Sequence, residues 1–168
     1  MEQKATQAKE KKEQLFMQSQ HGANRISAET KQQSDAFAAD YMDFLNASKT
    51  EREAVKNAVT LLEEKGFLPF TPDMKLQAGD KIYVNNRGKA IIAAVIGTAP
   101  ITEGVRLCAA HIDSPRLDMK QNPLYEDHEL AMFKTHYYGG IKKYQWTAIP
   151  LSLHGVVVKA DGTSVEVN

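Results

Sequence analysis

In the stretch Leu107-Cys108-Ala109-Ala110-His111-Ile112-Asp113-Ser114-Pro115, small apolar residues lead into two side chains able to do chemistry. An imidazole ligates metals and moves protons, and a nearby carboxylate bonded to one ring nitrogen fixes the tautomer, orients the ring and raises its basicity. Residues two apart project to the same face of an extended backbone, so the Asp113 carboxylate is expected to reach His111. Arg106 to Ala110 reads as a short buried strand ending in His111, broken by Ser114-Pro115. Active groups commonly sit at the carboxyl end of a buried strand, where a rigid scaffold opens into a loop. His-x-Asp spacing alone is a weak signal. A strand-end histidine satisfied by a neighbouring carboxylate for structural reasons accounts for it too.

Other groups of ligand type have plainer readings. Glu126-Asp127-His128-Glu129 concentrates metal-binding side chains and could combine with His111, but adjacent residues of one loop seldom point at a common ion, and a polar loop explains the cluster. His136 is expected to pack beside Tyr137, and His154 to lie within a strand from Leu151 to Val158. Cys108 is expected to be a small buried hydrophobe rather than a reactive thiol. Tyr137-Tyr138-Gly139-Gly140 reads as a turn that redirects the chain, because paired glycines allow unusual backbone angles.

The elements that must position these groups follow from patterning. Residues 1–33 are rich in Lys, Gln, Glu, Ala and Ser and read as a polar arm, partly helical. From Ser34, a plausible N-cap, Phe37, Tyr41, Phe44 and Leu45 recur at helical spacing. Thr50-Glu51-Arg52-Glu53 has the pattern of a capping box, Val55, Ala58, Val59 and Leu62 line one face of the helix that follows, and Gly66 ends it in the left-handed conformation. Beyond Gly66 the texture is strands and turns. Phe67 to Pro72 is extended, Lys81 to Val84 alternates, Asn85-Asn86-Arg87-Gly88 supplies positive φ, and Ala90 to Ile96 pairs back as a buried strand. Pro100 to Gly104 turns the chain, and a last hairpin joins Gly155–Lys159 to Ser164–Val167 through Asp161-Gly162.

The 168 residues are 42% apolar and 25% charged, ordinary values for a globular chain able to bury a core. Twenty-one basic residues balance twenty-one acidic ones, which disfavours nucleic-acid or anionic-membrane partners. The N-terminus lacks the apolar stretch of a signal peptide, and the longest apolar run, Ala90 to Ile96, falls far short of the roughly 20 residues a spanning helix needs. One cysteine cannot form an internal disulfide, so a reducing compartment, the cytoplasm, is expected.

The words around the His-Asp pair carry a family likeness. Ala109-Ala-His-Ile-Asp-Ser-Pro-Arg-Leu-Asp-Met-Lys120 resembles the His-x-Asp-Ser-Pro signature of the zinc aminopeptidase I family, which includes the aspartyl aminopeptidases. A second block, Tyr138-Gly139-Gly140, then Trp146, then Leu151-Ser-Leu-His-Gly155, looks like the family's Tyr-Gly-Gly, Trp, Leu-x-Leu-x-Gly stretch. The resemblance is strongest from about Asp80 to Val158, and the first 33 residues carry none of it. Thr147-Ala148-Ile149-Pro150 follows Trp146 where the aspartyl branch has an acidic-Arg-acidic pattern, so the likeness is to a bacterial branch and no acidic side-chain preference carries over.

The resemblance implies an α/β fold: the N-terminal part of a zinc-exopeptidase (phosphorylase/hydrolase-like) domain, entering a β-rich inserted domain. Residues 34–130 would belong to the former, and residues 131–168 would begin the latter, which family members use for oligomerisation and for covering the site. It implies a metallo-aminopeptidase that removes residues from peptide N-termini with two neighbouring ions, zinc or sometimes manganese or cobalt, acting as a homo-oligomer on a peptide substrate. His111 would ligate one metal and Asp113 would be the catalytic-site aspartate that orients it. The remaining ligands and the general base in the family lie beyond the position matching Asn168. The chain is therefore expected to represent an N-terminal piece, inactive alone; the rival reading is a non-catalytic interaction module that pairs with full-length enzyme.

Overall fold

A computed structural model describes residues 15, 16, 19 and 21–168. The expected arm therefore lies largely outside the described residues over its first 20 positions. The chain divides into two compact units, residues 1–42 and 43–168.

The first long element, α1, spans Ala28–Asn46. It starts six residues before the expected Ser34 cap: Ser27 Oγ accepts the Thr30 amide at 3.0 Å and its carbonyl accepts the Lys31 amide, so Ser27 is the N-cap. The intervening Ala-Glu-Thr-Lys-Gln-Gln is mostly strong helix formers but carries no apolar stripe, and periodicity alone does not reveal such a turn.

In the second unit, α2 (Glu51–Glu64) opens with the expected reciprocal capping box. The Thr50 hydroxyl accepts the Glu53 amide at 3.3 Å, and Glu53 Oε2 accepts the Thr50 amide at 2.9 Å. Its other end closes as the sequence leads one to expect. Gly66 takes φ +79°, the Phe67 amide reaches the Leu62 carbonyl and the Gly66 amide the Glu63 carbonyl, while the Lys81 ammonium caps the Lys65 carbonyl at 3.0 Å.

The helix packs on a three-stranded sheet, β1 (Leu68–Pro69), β2 (Lys81–Asn86) and β3 (Ala90–Val95), in that spatial order. β1 runs parallel to β2 and holds Pro69 at the sheet edge, where a missing N–H costs no ladder bond. β2 and β3 form a hairpin through Arg87 and Gly88, both at positive φ. Val55 of α2 and Tyr83 of β2 are the buried apolar residues of this core, and the Tyr83 hydroxyl donates to Glu63 on the helix at 2.7 Å. β3 was expected to be buried, yet Ile92, on the sheet face opposite Tyr83 and away from α2, and Val95, at the end of the strand, are both exposed.

Two further hairpins complete the unit. β4 (Arg116–Asp127) pairs antiparallel with β5 (Leu130–Tyr138), with a register shift between Met119 and Leu124 around Pro123. A short helix, α3 (Lys143–Trp146), leads toward β6 (Gly155–Val158), which pairs with β7 (Ser164–Val167) through the expected Asp161-Gly162 turn. The expected strand from Leu151 begins only at Gly155.

The expected buried strand at Arg106 to Ala110 does not form. Residues 104–115 are irregular and, apart from the half-buried Ile112 and Asp113, exposed, with Leu107 82% accessible. An apolar run of this kind needs ladder partners on either side, and no described strand pairs with it. Cys108, expected inside that strand, is consequently an exposed free thiol.

Candidate functional site

His111 and Asp113 stay together, but through a different atom from the one that strand geometry suggests. Because the backbone here is irregular, the ring turns onto the main chain: His111 Nδ1 lies 2.8 Å from the Asp113 carbonyl oxygen and 3.4 Å from carboxylate Oδ1. A carbonyl only accepts, so Nδ1 carries the proton, and in the neutral ring Nε2 keeps its lone pair, the form in which an imidazole ligates a metal. The ring is 82% exposed, and Nε2 meets no partner among the described residues.

The Asp113 carboxylate is occupied elsewhere. Its Oδ2 accepts the Tyr138 hydroxyl at 2.5 Å, and this bond holds the carboxyl below its ordinary range while pushing the Tyr138 phenol up. Tyr138 ends β5 directly across the ladder from Arg116 at the start of β4. The Arg116 guanidinium lies 4.2 Å from the centroid of the Tyr138 ring. It is in turn gripped by Asp118 Oδ1 at 2.7 Å and by Glu51 Oε1, in the first turn of α2, at 3.0 Å. The bond to Asp118, with the Glu51 charge, raises the guanidinium further and keeps it charged. Gly139 lets the strand end sit against the loop: at φ +70° it brings the position of a Cβ to 3.4 Å from the Pro115 Cα.

The sequence singles out His111 and Asp113 as site residues; Tyr138 reads there as part of a turn and of the Tyr-Gly-Gly block, with no role at the site, and Arg116 and Glu51 are not assigned to it. The signal for the strands was present. Leu117 and Met119 alternate with polar residues immediately after Pro115, and Tyr137 and Tyr138 lie in a run rich in strand formers. The pairing of Arg116 with Tyr138, however, is a matter of register across 22 positions, which composition does not encode.

The remaining candidates separate. In Glu126-Asp127-His128-Glu129, His128 and Glu129 form a two-residue hairpin turn at φ +52° and +63°. Asp127 pairs with His128 at 2.8 Å and Glu126 accepts the Glu129 amide, so the cluster satisfies itself. His136 stacks on Tyr137 with centroids 5.4 Å apart, as expected. His154 contacts Glu53 of the α2 capping box at 2.9 Å and Ser152 at 2.8 Å. Among the described residues no three His, Cys, Asp or Glu side chains converge as a metal site, and no helix is long and apolar enough to cross a membrane. His111 thus fits the part of a single ligand.

Comparison with known proteins bears on that part. Residues 44–168 match the family described as aminopeptidase I zinc metalloprotease (M18). The chain is 50% identical over 143 residues to a probable M18 family aminopeptidase 1 of Clostridium acetobutylicum, covering 82% of this chain and 31% of that protein. Among solved structures, it is similar to aminopeptidase I from Borrelia burgdorferi, with TM-score 0.84, 42% identity, and coverage of 89% of this chain and 37% of that one. An M18 aminopeptidase from Thermotoga maritima matches with TM-score 0.80 and 45% identity, over 90% of this chain and 33% of that one. The chain therefore spans about a third of the length of these relatives.

Proposed function

Because the chain belongs to the aminopeptidase I zinc metalloprotease (M18) family, we propose that it contributes His111 and Asp113 to the metal centre of an aminopeptidase that hydrolyses N-terminal residues from peptides. The observation that carries this is the 2.8 Å contact of His111 Nδ1 with the Asp113 carbonyl, on an 82% exposed ring whose Nε2 meets no partner among the described residues. Zinc, with manganese or cobalt as alternatives, would be held by His111 Nε2 together with donors outside the described cluster. When bound, such an ion supplies Lewis acidity and an activated water. Asp113 keeps the ring from rotating and places a negative charge 3.4 Å from Nδ1, which favours the ligating tautomer.

The same reading takes residues 1–33 as a polar arm, 34–130 as part of the peptidase domain and 131–168 as the start of a β-rich inserted domain used in homo-oligomer assembly. Cys108, unpaired and exposed, supports a reducing, cytoplasmic setting. Titrating residues 1–168 with Zn²⁺ while following imidazole ¹⁵N shifts tests the ligand assignment. His111 Nε2 is expected to move first and weakly, as befits one donor; a response confined to other histidines would reject it.

The open edges of the two-stranded β4–β5 and β6–β7 sheets favour a second reading, in which the chain pairs with a complete family member and modulates it without chemistry of its own. Co-purification with such a protein, together with silence of His111 toward zinc, is the result that would select it.

A further inference from the structure

The segment carrying His111 has almost nothing else to hold it. No backbone hydrogen bond ties residues 105–115 to any described element, the segment belongs to no strand, and most of its residues are exposed. The strong tie is the side-chain bond from the Tyr138 hydroxyl to Asp113 Oδ2 at 2.5 Å, supplemented by a 3.4 Å contact of Arg116 with the Ser114 carbonyl. Tyr138, by contrast, is fixed on both sides. Its backbone ends the β4–β5 ladder, and its ring lies beneath a guanidinium that Asp118 and Glu51 both hold. Rigidity thus passes from the first turn of α2 through Arg116 to the phenol, from the phenol to the Asp113 carboxylate, and from the Asp113 main chain to the imidazole.

We propose that Tyr138 is the positioning residue of the His111–Asp113 pair, its hydroxyl anchoring Asp113 so that the Asp113 carbonyl accepts Nδ1–H and Nε2 is presented in one direction. The proposal deepens the metal-ligand reading of His111, yet its geometry exists without any ion. Anchoring Oδ2 leaves Oδ1 and the carbonyl turned toward the ring. Without the hydroxyl, Asp113 sits in an exposed loop with no comparable restraint, and the imidazole loses its preference between tautomers.

The test uses the whole chain carrying Tyr138→Phe, which keeps the ring under Arg116 and removes only the hydroxyl. In mildly alkaline buffer, ¹⁵N–¹H correlation of the imidazoles should show the His111 ratio of Nδ1–H to Nε2–H tautomer falling about tenfold, the change expected from losing one charge-assisted hydrogen bond. Backbone amide shifts along β4 and β5 should stay in place. An unchanged ratio overturns the proposal. If Tyr138→Phe disturbs the ladder, Arg116→Lys, which retains the charge but not the flat fork, serves instead; it should lower the ratio by a smaller factor, and no change in it is equally fatal. Zinc added to the unmodified chain separates the two readings. Silence at His111 with a tautomer shift in Tyr138→Phe sinks the ligand assignment and sustains the positioning role, whereas a zinc response at His111 with no tautomer shift does the reverse.

Discussion

An imidazole whose Nδ1–H is given to a carbonyl two residues on is prepared for one role at Nε2, and the loop around it determines what else is reachable. Cys108, three residues earlier, is exposed in that same loop. A thiol-specific disulfide reagent should therefore modify it fully under native conditions, at a rate unchanged by denaturant; protection until unfolding would show that the loop is covered. Gly139 is the other residue whose chemistry is decided locally. Its φ of +70° and the 3.4 Å approach to Pro115 make Gly139→Ala costly by about 1 kcal/mol in thermal or denaturant unfolding. Exposed Lys56 and Glu166 form an ion pair at 2.9 Å with both side chains about two-thirds accessible, so Lys56→Ala should change stability little.

Helix α2 is held at both ends by groups legible in the chain. Thr50→Ala removes the hydroxyl half of the capping box and should cost about 1 kcal/mol in denaturant unfolding. Glu53 connects this cap to the segment before β6 through His154. Burial pushes the Glu53 carboxyl up, but its hydrogen bonds from His154 and from the Thr50 amide and hydroxyl outweigh that and hold it below the usual range. A carboxyl lowered on folding contributes stability that is full above its unfolded value, about 4.3, and is lost as the pH falls through the lower folded value. Thermal unfolding followed from neutral to acid pH should thus drop below about pH 4, and Glu53→Gln should flatten that acid limb while lowering stability at neutral pH. A limb of the same slope in the variant would place the acid sensitivity elsewhere.

At the scale of the molecule, many large apolar side chains of the described residues are exposed. Phe133, Leu124 and Leu130 on the β4–β5 hairpin and Val157 and Val158 on β6 are each more than half accessible, on sheets of only two strands whose edges are open. Two-stranded ribbons are marginal by themselves, and apolar surface of this extent calls for a covering partner. Sedimentation velocity on residues 1–168 should show association that grows with protein concentration and persists in high salt, since apolar contact rather than charge drives it. A strictly monomeric chain across a hundredfold concentration range would contradict this.

What the sequence by itself determined is local. The capping box at Thr50, the Gly66 closure, the Asn85–Gly88 and Asp161-Gly162 turns, and the stacking of His136 on Tyr137 each depend on residues a few positions apart, where propensity and side-chain hydrogen bonding leave little choice. Two short blocks of residues sufficed for the family, now shown over residues 44–168. Tertiary structure decided the rest. Arg106 to Ala110 has strand composition but no ladder partner among the described residues. The site shows the difference most sharply: His111 and Asp113 were named from spacing, whereas Tyr138, Arg116 and Glu51 are joined to them only by cross-strand register and helix docking. A motif lists the groups available, but the direction in which each points is an outcome of long-range packing.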